Sequence, residues 1–140
     1  MVVIGIDVGG TSIKGAAVND KGQMFDTFSL PVDKCENGVV TLHKLAALIS
    51  EYISSHSELG PISGIGMGVP GVIDSKNGVV CNSANLPTWN NLNVKELMEK
   101  ETGLPVKITN DANAAALGEV KFGAGNNCAT AVMITLGTGV

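Results

Sequence analysis

The stretch Asp7-Val8-Gly9-Gly10-Thr11-Ser12-Ile13-Lys14-Gly15 sets a carboxylate, two adjacent glycines, a hydroxyl and a lysine in one short run. An Asp at the end of an apolar strand can hold a hydrated Mg²⁺. Glycines without side chains let backbone N–H groups approach phosphate oxygens, Thr11 adds a hydroxyl, and Lys14 adds a positive charge. That combination suits phosphate binding. The run lacks the GxxxxGK[ST] order of a P-loop, and it turns into another strand where a P-loop enters a helix. The plainer alternative is a Gly-Gly hairpin with an exposed lysine.

Asn110-Asp111-Ala112-Asn113-Ala114-Ala115-Ala116-Leu117-Gly118-Glu119 is the most informative stretch. Asn110 and Asp111 fall between an expected strand and an expected helix, where polar side chains can face a cleft, and the alanines make a slim helix face that packs closely. A plain Asp N-cap needs one acidic residue and explains neither Asn110 nor the alanines. An aspartate is a weak base but a good orienter of a hydroxyl, which phosphoryl transfer through a loose transition state requires. Asn82, Asn85, Asn90 and Asn91 surround the single Trp89. Amides supply the donors and acceptors that sugar hydroxyls need, and an indole can face a sugar's C–H surface. Judged alone, this is better read as a polar loop with an aromatic plug. Gly66-Met67-Gly68-Val69-Pro70-Gly71 matches GxGxxG in form only, because a Pro-Gly turn and a hairpin follow it. His43 and His56 lack metal-spaced neighbours and read as solvated or packing residues.

These residues need elements to position them. Residues 2–8 form a β-branched apolar run stopped by Gly9-Gly10, and strands are expected over Ser12–Val18 and, after the Asn19-Asp20-Lys21-Gly22 turn, Gln23–Leu30. Two tight connections imply an antiparallel meander, unlike the βαβ opening of a dinucleotide-binding fold. Helical spacing of Leu42, Leu45, Ala46, Ile49, Tyr52 and Ile53 predicts a helix from about Gly38 to Ser57. Ile62–Val69 reads as a strand, and Val72-Ile73 and Val79-Val80 flank an Asn77-Gly78 turn. Asn93 with Glu96 opens a helix that Gly103 closes. A strand at Val106–Thr109, a helix at Asp111–Phe122 and a last strand at Ala129–Leu136 complete a mixed-sheet α/β pattern.

Composition narrows the function classes. The chain has 140 residues, 44% of them hydrophobic, and a net charge of -4, which excludes intrinsic disorder. No apolar run approaches the ~20 residues that cross a bilayer. Nine Lys, no Arg and thirteen acidic residues make a poor nucleic-acid surface and leave phosphate to Lys, backbone N–H groups or a metal. Cys35, Cys81 and Cys128 have no CxxC spacing. They read as reduced, buried thiols of a cytoplasmic protein, the more so without a signal peptide.

Asp7–Gly15, Gly68–Gly71, Asn85–Trp89, Asn110–Glu119 and Gly137–Gly139 together resemble the ROK family of sugar kinases, in order and across the whole chain. DxGGTxxKxG and NDANAAALGE are the specific stretches, and the glucokinases of the family look most similar. The resemblance implies a ribonuclease-H-like (actin-like ATPase) lobe with a βββαβ opening, a mixed sheet and flanking helices. It further implies ATP and a hexose in a cleft, and transfer to the sugar's primary (6-) hydroxyl. Asp111 would be the general base, and Gly71, Asn85, Asn110 and Asp111 would hold the sugar. Asp7, Gly9, Gly10, Thr11 and Lys14 match a first phosphate loop, with Asp7 facing Mg²⁺ through water. Gly137, Thr138 and Gly139 match a second.

ROK kinases are longer, and their Glu/His sugar pair, Cys-rich zinc motif and adenine pocket have no counterpart here. The expected division is therefore residues 1–122 as the N-terminal sugar- and phosphate-binding lobe and 123–140 as the start of a second lobe. On this reading the chain has no zinc site and is weak or inactive alone. Ala129–Leu136 would then be covered, swapped between copies or left as a sticky edge, and family membership makes a homo-oligomer the expectation. The competing readings are a ROK sugar-responsive regulator, for whose helix-turn-helix the residues before Asp7 leave no room, and a non-enzymatic actin-like ATP-binding lobe.

Overall fold

In the computed structural model, which describes residues 1–126 and 128–135, the alternation of Ile4, Ile6 and Val8 with Gly5 and Asp7 makes β1 (Val2–Val8) a strand with one buried and one open face. The Gly9-Gly10 turn reverses it into β2 (Ser12–Asn19), and the Asn19 side chain closes the next turn by accepting from the Lys21 and Gln23 N–H groups. β3 (Met24–Pro31) returns along β2. The expected meander is present, with β3 starting and ending one residue later than its composition predicts.

Asn37 caps α1 (Gly38–Ser55) through the Val39 N–H, and a short 3-10 turn at Ser57–Leu59 ends the segment, so the α-helix is shorter than expected. β4 (Ile62–Val69) then runs parallel to β1. The hairpin β5 (Val72–Asp74) and β6 (Val79–Asn82) is joined by β7 (Leu92–Asn93), a two-residue strand too short to leave a sequence pattern. α2 (Val94–Thr102) begins with reciprocal bonds between Asn93 and Glu96 and ends at a left-handed Gly103. β8 (Val106–Asn110) lies parallel to β4, and α3 (Asp111–Phe122) follows at once.

The main sheet has the order β3-β2-β1-β4-β8, a mixed five-stranded sheet with a small three-stranded sheet beside it. One face packs Ile4, Ile6, Val8, Ile13, Ala17, Ile65, Met67, Val69 and Ile108 against Leu42, Leu45, Ala46 and Ile49 of α1 and Met98 of α2. α3 lies across the other face. Beside Gly68 it presents Asp111 and Ala114, and its far end sets the Phe122 ring against Gly22 of the β2–β3 turn.

Two expectations are corrected. Cys35, Cys81 and Cys128 are exposed, not buried. Cys35 sits in a loop turned by Asp33, Cys81 lies on the outward face of β6 next to buried Val80, and Cys128 lies past α3. The described part of Ala129–Leu136 is not a strand: no ladder forms there, and Val132 and Ile134 are 87% and 71% exposed. Its β-branched composition favours extended chain, but a strand exists only with a partner, and none of the described strands pairs with it.

Candidate functional site

The strand register assembles the site. Lys14 of β2 pairs with Asp7 of β1, Asp7 pairs with Gly68 of β4, and Gly68 pairs with Thr109 of β8. Paired residues on neighbouring strands share a face, with strands about 4.8 Å apart. Asp7 and Lys14 are both exposed, and neither makes an ion pair among the described residues.

Beyond this row the chain makes the tight Gly9-Gly10 turn. The Gly9 N–H donates to the Ser12 carbonyl at 3.0 Å, and a Cβ on Gly9 would lie 2.8 Å from that oxygen. Gly9 is thus a turn former whose N–H is already engaged, leaving Gly10 and Thr11 to offer the free edge of the loop. Sequence reasoning missed one cation here. A Cβ on Gly10 would meet the Lys34 Cε and Nζ at 3.6 Å, because the chain leaving β3 returns to this loop. The β2–β3 register places it: with Ser12 opposite Pro31 in an antiparallel pair, residues 32–34 lie beside residues 9–11.

The second cluster forms where β8 becomes α3. Asn110 is the N-cap: its Oδ1 accepts from the Asn113 N–H at 3.3 Å, and its Nδ2 donates to the Gly71 carbonyl at 3.0 Å. Asp111 is the first helical residue, partly exposed, with Oδ1 accepting from the Ala112 N–H at 2.9 Å. A helix N-terminus favours negative charge at that place. Gly71 has φ 116, and a Cβ on it would come within 2.2 Å of the Asn82 carbonyl oxygen. That turn therefore demands glycine.

Asn85 is exposed in the loop after β6, two residues beyond Ser83, whose Cβ backs the Gly71 turn. Ser83 is 1% exposed and its hydroxyl has no partner among the described residues. Asn90 is committed within the loop, its Oδ1 accepting from the Ser83 N–H at 2.7 Å. Trp89 is 1% exposed and packs on Gly38 at the start of α1, so it is the plug and presents no face to a ligand. His43 is half-exposed beside Glu101, and His56 stacks on Tyr52.

The two clusters meet at Gly68. Its Cβ position lies 3.3 Å from the Asp111 Cα and from the Ala114 Cβ, and it pairs with Asp7 on the opposite side. The Asp7–Lys14 row and the Gly71–Asn110–Asp111 corner therefore share one end of the sheet, at the carboxyl ends of β1, β4 and β8. Open α/β sheets bind ligands at that end. Gly137, Thr138 and Gly139 lie outside the described residues. Among the described residues no cluster of three or more His, Cys, Asp or Glu could hold a metal alone, and no helix is long and apolar enough to cross a membrane.

The ROK family model matches residues 3–140, and the chain belongs to the ROK family. It is 38% identical over 98% of its length to a glucokinase of Halalkalibacterium halodurans, of which it covers 42%. It is 30% identical over its full length to a beta-glucoside kinase of Listeria monocytogenes, of which it covers 45%. Among solved structures it is similar to a ROK family glucokinase from Streptomyces griseus in complex with glucose and AMPPNP. That match has a TM-score of 0.74 and 33% identity, covering 91% of this chain and 38% of that one. The fold is thus the actin-like ATPase lobe of ROK kinases. The chain spans less than half the length of the curated relatives it matches.

Proposed function

We propose that this lobe serves an ATP-dependent kinase acting on the primary hydroxyl of a hexose, with glucose the first candidate. The observation that carries the reading is the meeting of an Asp–Lys row beside a glycine turn with a carboxylate at a helix N-terminus, both against Gly68.

In this mechanism Gly71, Asn85, Asn110 and Asp111 hold the hexose. The Asp111 carboxylate orients the 6-hydroxyl and accepts its proton as the oxygen attacks the γ-phosphorus; the bond to the β–γ bridging oxygen breaks and ADP departs. Such transfer depends mainly on positioning and charge stabilisation. Gly10, Thr11 and Lys14 face the phosphates, with Gly9 shaping the turn, and Gly137, Thr138 and Gly139 are the proposed second phosphate loop. Asp7 fits a hydrated Mg²⁺: a single exposed carboxylate suits an ion that keeps several waters and takes its other ligands from phosphates. Bound there, Mg²⁺ neutralises charge on the transferring group. The proposed lobe boundary is 1–122 against 123–140. Because positioning both substrates needs walls on both sides, this chain alone is expected to turn over weakly or not at all.

The test is ADP production from ATP and Mg²⁺ across a panel of hexoses, in the 140-residue chain and in a longer protein carrying a second lobe, each with Asp111→Asn. Sugar-dependent turnover in the longer protein that vanishes with Asp111→Asn supports the reading. Hexose-independent ATP hydrolysis insensitive to Asp111 would favour a non-enzymatic actin-like lobe. Hexose binding without turnover in the longer protein would favour a sugar-responsive regulator.

A further inference from the structure

The loop between β3 and α1 is bound to the glycine turn by more than proximity. Val32 donates its N–H to the Thr11 carbonyl at 3.0 Å, so the chain leaving β3 is hydrogen-bonded to the very loop that the phosphate reading invokes. Two residues before Cys35, Asp33 folds its carboxylate back onto the Cys35 N–H at 2.8 Å, an Asx turn that fixes the backbone on both sides of Lys34. The Lys34 head group then lies over Gly10, its Cε and Nζ 3.6 Å from where a Cβ on that residue would stand.

Charge bookkeeping around Lys34 points the same way. Its two acidic neighbours are engaged elsewhere: Asp33 with the Cys35 N–H, and Glu36 with both the Lys44 ammonium and the Thr41 hydroxyl. Lys34 makes no ion pair among the described residues. The chain has no Arg, so a polyphosphate at this turn must be held by lysines, backbone N–H groups and metal. A lone Lys14 is a sparse set for several phosphate charges.

We propose that Lys34 is a second phosphate-binding lysine, reaching over the Gly9-Gly10 turn to hold the terminal phosphates of a nucleoside triphosphate together with Lys14. This rests on the kinase reading of the same loop and adds a residue to it. The β1–β2 turn and the β3–α1 loop form one anion subsite, bound together by the Val32–Thr11 hydrogen bond.

The experiment titrates the 140-residue chain with ATP and, separately, with inorganic tripolyphosphate, following backbone amide shifts at several salt concentrations. Lys34→Ala should weaken both ligands about three- to tenfold, the range of a charged hydrogen bond discounted for exposure. It should also flatten the salt dependence, while Lys34→Arg retains most of the affinity. Lys100→Ala, on the far turn of α2, should match the wild type, and thermal melting should be the same in all. A role confined to folding would move the melt and leave the salt dependence unchanged. Lys34→Ala binding as tightly as wild type while Lys14→Ala binds weakly would overturn the Lys34 proposal and leave the kinase reading standing. Wild-type chain that binds neither ATP nor tripolyphosphate would overturn both.

Discussion

The two faces of the five-stranded sheet are built from the same strands to opposite ends. Along β1, Ile4, Ile6 and Val8 enter the packed layer under α1 and α2, while the residues between them, Gly5 and Asp7, face α3 and the open groove. β4 repeats the division, with Ile65, Met67 and Val69 on the packed side and Gly66 and Gly68 on the other. The packed face is continuous and apolar, mostly Ile and Val with Ala17 and Met67. The other carries glycine, a carboxylate and lysines, beside a groove of about 1460 Å³ whose walls include exposed Leu117 and Phe122 of α3. Buried hydrocarbon is concentrated on one side and exposed Asp7 and Lys14 on the other, and the period-2 alternation of a strand lets one segment supply both.

Substitutions on the two faces should therefore differ most. Ile4→Ala, at a position with no exposure, should destabilise by about 2–5 kcal/mol in urea denaturation, whereas Val3→Ala on the open face should cost less than about 1 kcal/mol. Equal costs would break the comparison. Next in size is the contrast of two glycines on β4 and its following turn. Gly71→Ala puts a Cβ against the Asn82 carbonyl at φ 116 and should cost about 1–3 kcal/mol, along with hexose-induced thermal protection. Gly66→Ala has open space around it and should stay within about 0.5 kcal/mol.

Asn110 sharpens the contrast at the site itself. Asn110→Ala removes the cap of α3 and should cost about 1 kcal/mol, and Asn110→Asp keeps the capping oxygen while losing the donor to Gly71. A hexose affinity lowered in both variants assigns the effect to the Asn110 amide donor, on Gly71 or on the sugar itself, and one lowered only in Asn110→Ala assigns it to the cap. Ser83→Ala removes a buried hydroxyl that has no partner among the described residues and should stabilise slightly, by up to about 1 kcal/mol in urea denaturation.

The smallest effect is a pH dependence away from the site. The Tyr52 carbonyl accepting from Nδ1, together with Asp26 at Nε2 and nearby Glu58, raises the His56 pKa above 6.5 despite partial burial. A raised folded-state value adds stability that is fully present below about pH 6.5 and is lost as pH climbs through the folded value. Melting of wild type against His56→Gln should therefore differ more at pH 5 than at about pH 8, and a constant gap would contradict the assignment.

Most of the fold was legible because its signals are local. The β-branched apolar run of residues 2–8 stopped by Gly9-Gly10, the Asn19–Gly22 turn, the Asn93/Glu96 cap with Gly103 and the strand-to-helix junction at Asn110-Asp111 each announce themselves within a few residues. What failed was non-local. The apolar run at Ala129–Leu136 has strand composition, but pairing depends on a neighbour that composition cannot supply. The cysteines were misplaced because their burial depends on which side of a loop or edge strand faces outward. β7 was too short for any pattern. At the site, the DxGGT and NDA stretches were legible as motifs, yet Lys34 was not, because its role follows from the β2–β3 register and not from its neighbours in sequence. Trp89 was readable from its loop as a plug, and the structure adds that it packs on Gly38.

The central claim is that a phosphate corner and a hexose corner meet at Gly68. The direct measurement is amide-resolved titration of the wild-type chain, first with glucose and then with ATP and Mg²⁺. The account predicts glucose-dependent shifts at Gly71, Asn85, Asn110 and Asp111, ATP-dependent shifts at Gly10, Thr11, Lys14 and Lys34, and a response of Gly68 to both. Shifts confined to the groove under α3, around Val3, Leu117 and Phe122, with none at Asp111 or Gly10, would contradict it.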